Sequence, residues 1–251
     1  MAFRPGPLAL VSALAAAVTL IHPREAVAQP VVQPLPPPAL GDLRAALAVL
    51  ARNPEDVSAL VRAGLASLEL DDPQAALGFF RRAEAIAPAN GEVKAGLALH
   101  ELRHGNPAKA VRLFAEAEAS GAAMAQFAGE RGLALDLVGS NLAAQQYYRQ
   151  ALDAGHDPEI VRRLALSQAI AGDQRGSEAT LLPLLQRTDL AAYRTRAFAL
   201  AILGRTDEAI TIAQTMLTPA LSNGIAPYLR YMPRLTRAQQ AAAANLGRFP
   251  S

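Results

Sequence analysis

Residues 100–104 read His-Glu-Leu-Arg-His. Two histidines four apart share one face of a helix and can hold one zinc ion, while a glutamate beside the first can act as general base. The pattern raises one reading of the chain, a zinc metallopeptidase using His100, Glu101 and His104. The surroundings argue against it. Gly105 stops the helix directly after His104, whereas a zinc helix of this kind carries the motif in its middle and takes a third ligand from another element. Arg103 sets a cation beside the would-be metal, and the nearest further histidine is His156. The alternative expectation is that His104 closes a helix, where an imidazole meets the last carbonyls favourably, and that His100 is a surface residue. No G-x-S-x-G elbow, G-x-G-x-x-G loop or Walker-type phosphate loop is present, so no catalytic residue, metal or cofactor is expected. Asp71-Asp72 reads as a turn with an N-cap, and Arg81-Arg82 and Arg162-Arg163 as solvated helix faces.

The ends of the chain speak to location. After Arg4 an apolar run extends over Leu8–Ile21, followed by the small-residue triplet Ala26-Val27-Ala28. This is the layout of a secretory signal peptide over residues 1–28, cleaved after Ala28; the run is short of the roughly 20 residues a bilayer span needs. The mature chain is expected to be periplasmic or secreted, with no stable membrane insertion. There is no cysteine, so disulfides play no part. Removing residues 1–28 takes away Arg4, Arg24 and Glu25, which leaves 22 basic against 21 acidic side chains. That near balance, without a basic run interleaved with aromatics, gives no support to a nucleic-acid partner. Residues 29–41 are proline-rich and read as an extended, disordered tether. From residue 42 the sequence is rich in Ala and Leu, which favours helix.

A period organises the remainder. Ala76-x3-Phe80-x2-Ala83 recurs as Ala110-x3-Phe114-x2-Ala117 and as Ala144-x3-Tyr148-x2-Ala151, at steps of 34 residues. Gly64, Ala98 and Gly132 keep the same step, and Leu203–Ile210 repeats the turn once more. Repetition at such a period marks stacked helical hairpins, in which small residues let helices approach and an aromatic fills the gap to the next hairpin. Asp72-Pro73 and Asn106-Pro107 each place an N-cap residue before a proline at the first helical position, with Ser140 and Thr206 as weaker caps.

The pattern resembles the tetratricopeptide-repeat family over about residues 42–223. The resemblance implies an all-α fold, a right-handed α-solenoid of antiparallel helix hairpins with capping helices. Residues 42–52 read as a leading cap. Five repeats follow at 57–90, 91–124, 125–157, 158–189 and 190–223, with Pro183 expected to kink the second helix of the degenerate fourth. Residues 224–251 read as a C-terminal capping segment, with a capping box at Thr236–Gln239 and a stop at Gly247. The segment 226–236 resembles exported bacterial envelope repeat proteins, in some of which a SPOR domain follows, and the array resembles components of Flp pilus assembly.

By the same resemblance, the first helix of each repeat lines a concave groove. One inward position reads Leu65, Leu99, Leu133, Leu166 and Phe198, and Arg103, Arg162 and Arg194 add charge. These residues suit either a partner groove, with the proline-rich tether as a candidate occupant, or a helix-packing core. The function expected is that of a non-enzymatic, exported adaptor that binds a protein or peptide in its groove, in cell-envelope assembly. A self-associating structural subunit is the further alternative.

Overall fold

The computed structural model describes residues 37–250, which include thirteen α-helices and no strand. Helix α1 spans Pro38–Leu50. Five hairpins follow: α2 Val57–Glu69 with α3 Pro73–Ile86, α4 Gly91–Arg103 with α5 Pro107–Ala119, α6 Ala128–Leu137 with α7 Asn141–Ala154, α8 Pro158–Ile170 with α9 Gln174–Gln186, and α10 Leu190–Ile202 with α11 Thr206–Met216. A short 3-10 turn at Ala125–Phe127 precedes α6. Helix α12 spans Pro219–Tyr231, a second 3-10 turn spans Met232–Arg234, and α13 spans Arg237–Leu246. The expected signal peptide and most of the tether lie outside the described residues. The part of the tether that is described is already helical, because α1 starts at Pro38.

Local chemistry sets the helix ends. The Asp56, Asp72 and Asn90 side chains accept from the backbone N–H three residues on, at 2.7, 2.9 and 3.1 Å. These bonds satisfy amides that otherwise have no partner in the first turn. Asn106 departs from the expectation. Its side chain makes no cap bond to the backbone and instead donates to Glu101 Oε2 at 2.8 Å. Ser140 occupies an N-cap without a side-chain bond, and Thr206 is already inside α11, whose N-cap is Arg205. At the turn between the helices of each hairpin the chain enters the left-handed region. Gly105, Gly139, Gly172 and Gly204 do so in the last four hairpins, and Asp71, at φ 59°, takes that place in the first. Pro183 sits within α9, which runs unbroken from Gln174 to Gln186.

Packing follows the 34-residue register. Phe80, Phe114 and Tyr148, from the second helices, are fully buried. A Cβ at Gly64 or at Gly96 would overlap the Phe80 ring, so Phe80 is clamped between the first helix of its own hairpin and that of the next. A Cβ at Gly132 would lie 2.6 Å from Tyr148 Cε1. Glycine is therefore a packing requirement at these helical positions, despite its cost of about 1 kcal/mol relative to alanine in a helix.

Helix α13 does not simply extend the stack. It turns back and lies against α6, α8 and α10, the first helices of the last three hairpins. Gly132→Val should lower unfolding free energy by about 2–3 kcal/mol through overpacking against Tyr148. Gly78→Ala, where an added Cβ has open space, should raise it by about 0.4–1 kcal/mol. Urea denaturation of both variants checks this; equal and small effects would mean that ring-to-glycine contact does not limit the fold.

Candidate functional site: the concave face and its occupant

The first helices present the inward ladder, and the structure divides it. Leu65 and Leu99 are half-buried and pack against two neighbouring clusters. Leu133, Leu166 and Phe198 are 6, 3 and 7% exposed. Leu166 and Phe198 share a buried cluster with Ala243 of α13 and with Leu229, Met232 and Leu235 of the segment leading to it. Of the two readings of the ladder, groove or helix-packing core, this burial favours core for Leu133, Leu166 and Phe198. Helix α13 and the segment before it cover Leu166 and Phe198, whereas Leu133 is buried among Ala98, Leu102 and Phe127. The occupant is thus a segment of the chain's own C-terminal region.

The three arginines also separate. Arg162 is spent on ion pairs to Glu159 at 2.8 Å and Asp189 at 3.1 Å. Arg103 is exposed and donates through Nη1 to the Leu68 carbonyl at 2.6 Å. Arg194 is exposed at the edge of a cleft shared with Phe198, Tyr228 and Phe249. A further cleft, of about 360 Å³, lies toward the N-terminal half, lined by Leu99, Leu133 and Leu137, with Arg103, Arg163 and Arg248 also in its lining. Asp71 and Glu130 share that cleft and form no ion pair among the described residues. Arg248 and Leu246 went unnoticed in the sequence. Their signal is a capped, alanine-rich helix whose small side chains allow close packing against another helix.

His100 and His104 do not form a zinc site. Their rings stack with centroids 4.0 Å apart at 25°, so their nitrogens do not converge on one point. Glu101 is engaged by Lys109 at 2.7 Å and Asn106 at 2.8 Å, and Lys109 foremost holds its carboxyl below the usual range. Among the described residues, no group of three or more His, Asp or Glu is placed to hold a metal. His100 is no surface residue either; it is buried, and both ring nitrogens lack a partner. Burial first, then His104, Arg81 and Lys109, push its pKa down, against the pull of Glu101. His104 is the C-cap of α4, and its Nδ1 lies 3.1 Å from the His100 carbonyl.

A second buried polar group was missed. Asp136 is fully buried and accepts from Asn141 Nδ2 at 2.7 Å, Ser167 Oγ at 2.7 Å and Tyr148 Oη at 3.0 Å. Burial raises its pKa to about 6, although these three donors and the Arg163 charge favour the ionised form. The site ties α6 and α7 to α8. Its signal in the sequence is an aspartate at the register position held elsewhere by Leu68 and Leu102, together with a tyrosine in the phenylalanine slot.

No family model and no curated protein matches this chain. A crystal structure of a tetratricopeptide repeat protein from Parabacteroides merdae is similar, with a TM-score of 0.55 and 17% identity over 83% of this chain and 86% of that one. The fold is that of a tetratricopeptide-repeat protein. A structure of Naa15/Naa10 bound to HypK-THB aligns with a TM-score of 0.40 and 16% identity over 80% of this chain and 33% of that one, too distant to bear on the fold. Within the tetratricopeptide-repeat fold, the clamped aromatics fall where the 34-residue register places them.

Two of the buried ionisable groups, Asp136 and His100, respond to pH in opposite senses. Asp136 has a folded pKa above its unfolded one, so its contribution is fully present below about pH 3.8 and is lost as pH rises through about 6. At about 1.36 kcal/mol per pKa unit, wild type should lose about 3 kcal/mol over that window relative to Asp136→Asn. His100 has a depressed pKa, so its contribution falls as pH drops below 6.5. His100→Leu should remove that loss. Each difference curve, measured by urea denaturation from pH 4 to 8, isolates one group; a variant curve parallel to wild type would refute that assignment.

Proposed function

We propose that this protein is an exported, non-enzymatic scaffold that binds a segment of another protein in its concave face, in the assembly of the cell envelope. The observation that carries the reading is the open cleft bearing half-buried Leu99 and Leu137 beside the carboxylates of Asp71 and Glu130, which form no ion pair among the described residues. A side chain of the partner that covers such leucines gains about 1.5–3 kcal/mol when fully buried. Charged groups at the edge supply orientation more than affinity. The small-residue triplet ending at Ala28 and the apolar run before it support export.

The partner is tested by affinity capture from an envelope extract of the native host. Leu65→Gln with Leu99→Gln should abolish capture while helicity is kept and stability falls by about 1–3 kcal/mol. Unfolding of this double variant would instead assign both leucines to the helix-packing core. Export is tested by N-terminal sequencing of protein from the envelope fraction. The chain should begin at Gln29, and a product that starts at Met1 or Ala2 would refute the leader.

A further inference from the structure

Helix α13 is held in an unusual way for an element that closes a core. Five of its ten residues are alanine, and its fully buried apolar side chains are Ala241 and Ala243. Each hairpin of the first three, by contrast, is pinned by a buried ring. The segment leading to α13 is held by buried Leu229, Met232 and Leu235, in the same cluster as Ala243, and Gln240 Nε2 donates to the Met232 carbonyl at 3.1 Å. A capping box at Thr236 and Gln239 and the left-handed Gly247 define both ends of the helix without help from the face it lies on. The surface beneath it belongs mainly to α6 and α8, and Leu166 and Phe198 share a buried cluster with Ala243. So α13 is a helix whose ends are locally defined and which is seated on this surface by small side chains.

The charges on and beyond α13 point the same way. Residues 236–250 contain no carboxylate side chain and two arginines, and Arg248 ends in the open cleft that it shares with Asp71 and Glu130. The occupant thus has a recognisable chemistry: a helix with small residues on the face it buries, free of acidic groups, with a basic residue just past its end.

We propose that the concave surface over α6, α8 and α10 is a receptor for such a helix, that α13 is its built-in occupant, and that a partner protein gains this surface by presenting an alanine-faced helix of the same pattern and displacing α13. This rests on the reading of the concave face as the binding surface, and it assigns that face a partner class and a means of control. Partner affinity is set by competition: the free surface is populated only in the fraction of molecules whose α13 has left, so a tether that holds α13 down lowers apparent affinity by that fraction.

The test uses the full chain and a labelled synthetic peptide of residues 236–250, read by fluorescence anisotropy. Ala241→Glu with Ala243→Glu places two carboxylates in the seat and ejects α13; peptide should then bind at least tenfold tighter than to wild type. The opposite variant locks it. A Cβ built at Gly139 lies 3.9 Å from Ala238 Cβ, inside the range of about 3.5–4.5 Å that a disulfide needs, and the chain has no cysteine of its own. Gly139→Cys with Ala238→Cys should bind peptide at least tenfold more weakly when oxidised than when reduced. The reduced form controls for the left-handed backbone at Gly139.

Equal binding by the oxidised and reduced forms overturns the proposal. So does a glutamate variant that keeps its helicity yet does not bind peptide, and so does one that unfolds, which would make α13 part of the core. If wild type dimerises in light scattering and the oxidised lock is monomeric, the displacing helix comes from a second copy, and the clause naming a different partner fails. An envelope protein captured equally by the locked and unlocked forms would sink displacement, while leaving the open cleft as the binding surface.

Discussion

The solenoid depends on one contact: an aromatic ring from the second helix of a hairpin, pressed onto backbone where a side chain has been removed. Phe80 lies between Gly64 and Gly96, and Tyr148 lies on Gly132. Each ring touches its own hairpin and, for Phe80, the next one, so it sets the angle within a repeat and the step between repeats together. Interiors are close-packed, and a methyl group at either glycine has nowhere to go. The contact varies along the array while its register is kept: Ala98 stands in the glycine slot of the second hairpin, and buried Leu181 in the ring slot of the fourth.

The third hairpin modifies the contact chemically. Tyr148 adds a hydroxyl to the buried ring, and a buried hydroxyl needs a partner. Asp136 supplies it, and the carboxylate then draws in Asn141 and Ser167, which belongs to the next hairpin. The junction between α6, α7 and α8 is therefore polar and directional, where the junctions before it are apolar. Such a network confers register at a cost in burial, and the raised pKa of Asp136 is the direct expression of that cost. The network joins α6 and α8, the two helices against which α13 mainly lies.

The two halves of the concave face then differ in kind. The N-terminal half keeps Leu65 and Leu99 half-buried beside an open cleft, and the C-terminal half is a finished interface within the chain. The difference arises from side-chain size on α13. Alanines fill the seat over Leu166 and Phe198, and at Gly247 the backbone turns left-handed and ends the helix before it reaches Leu99.

Much of this architecture was legible in the sequence, for a physical reason: whatever repeats along the chain must repeat in space. The step of 34 residues, the alanine-aromatic-alanine triplets and the small residues twelve positions before them determine the hairpins, their order and the buried rings. The capping box at Thr236 and the stop at Gly247 are equally local and were readable. Three matters are not local, and only the tertiary structure decided them. His100 looks like a surface residue in the sequence, yet the stacking of the hairpins buries it, and the charges of Arg81 and Lys109 that reach it come from other helices. Asp136 stands out only once Tyr148 and Ser167 are known to converge on it. The ladder from Leu65 to Phe198 could be read as groove or as core because both need the same leucines; the return of α13 chose core for its last members, and no periodicity within α13 says which distant surface its alanines will meet.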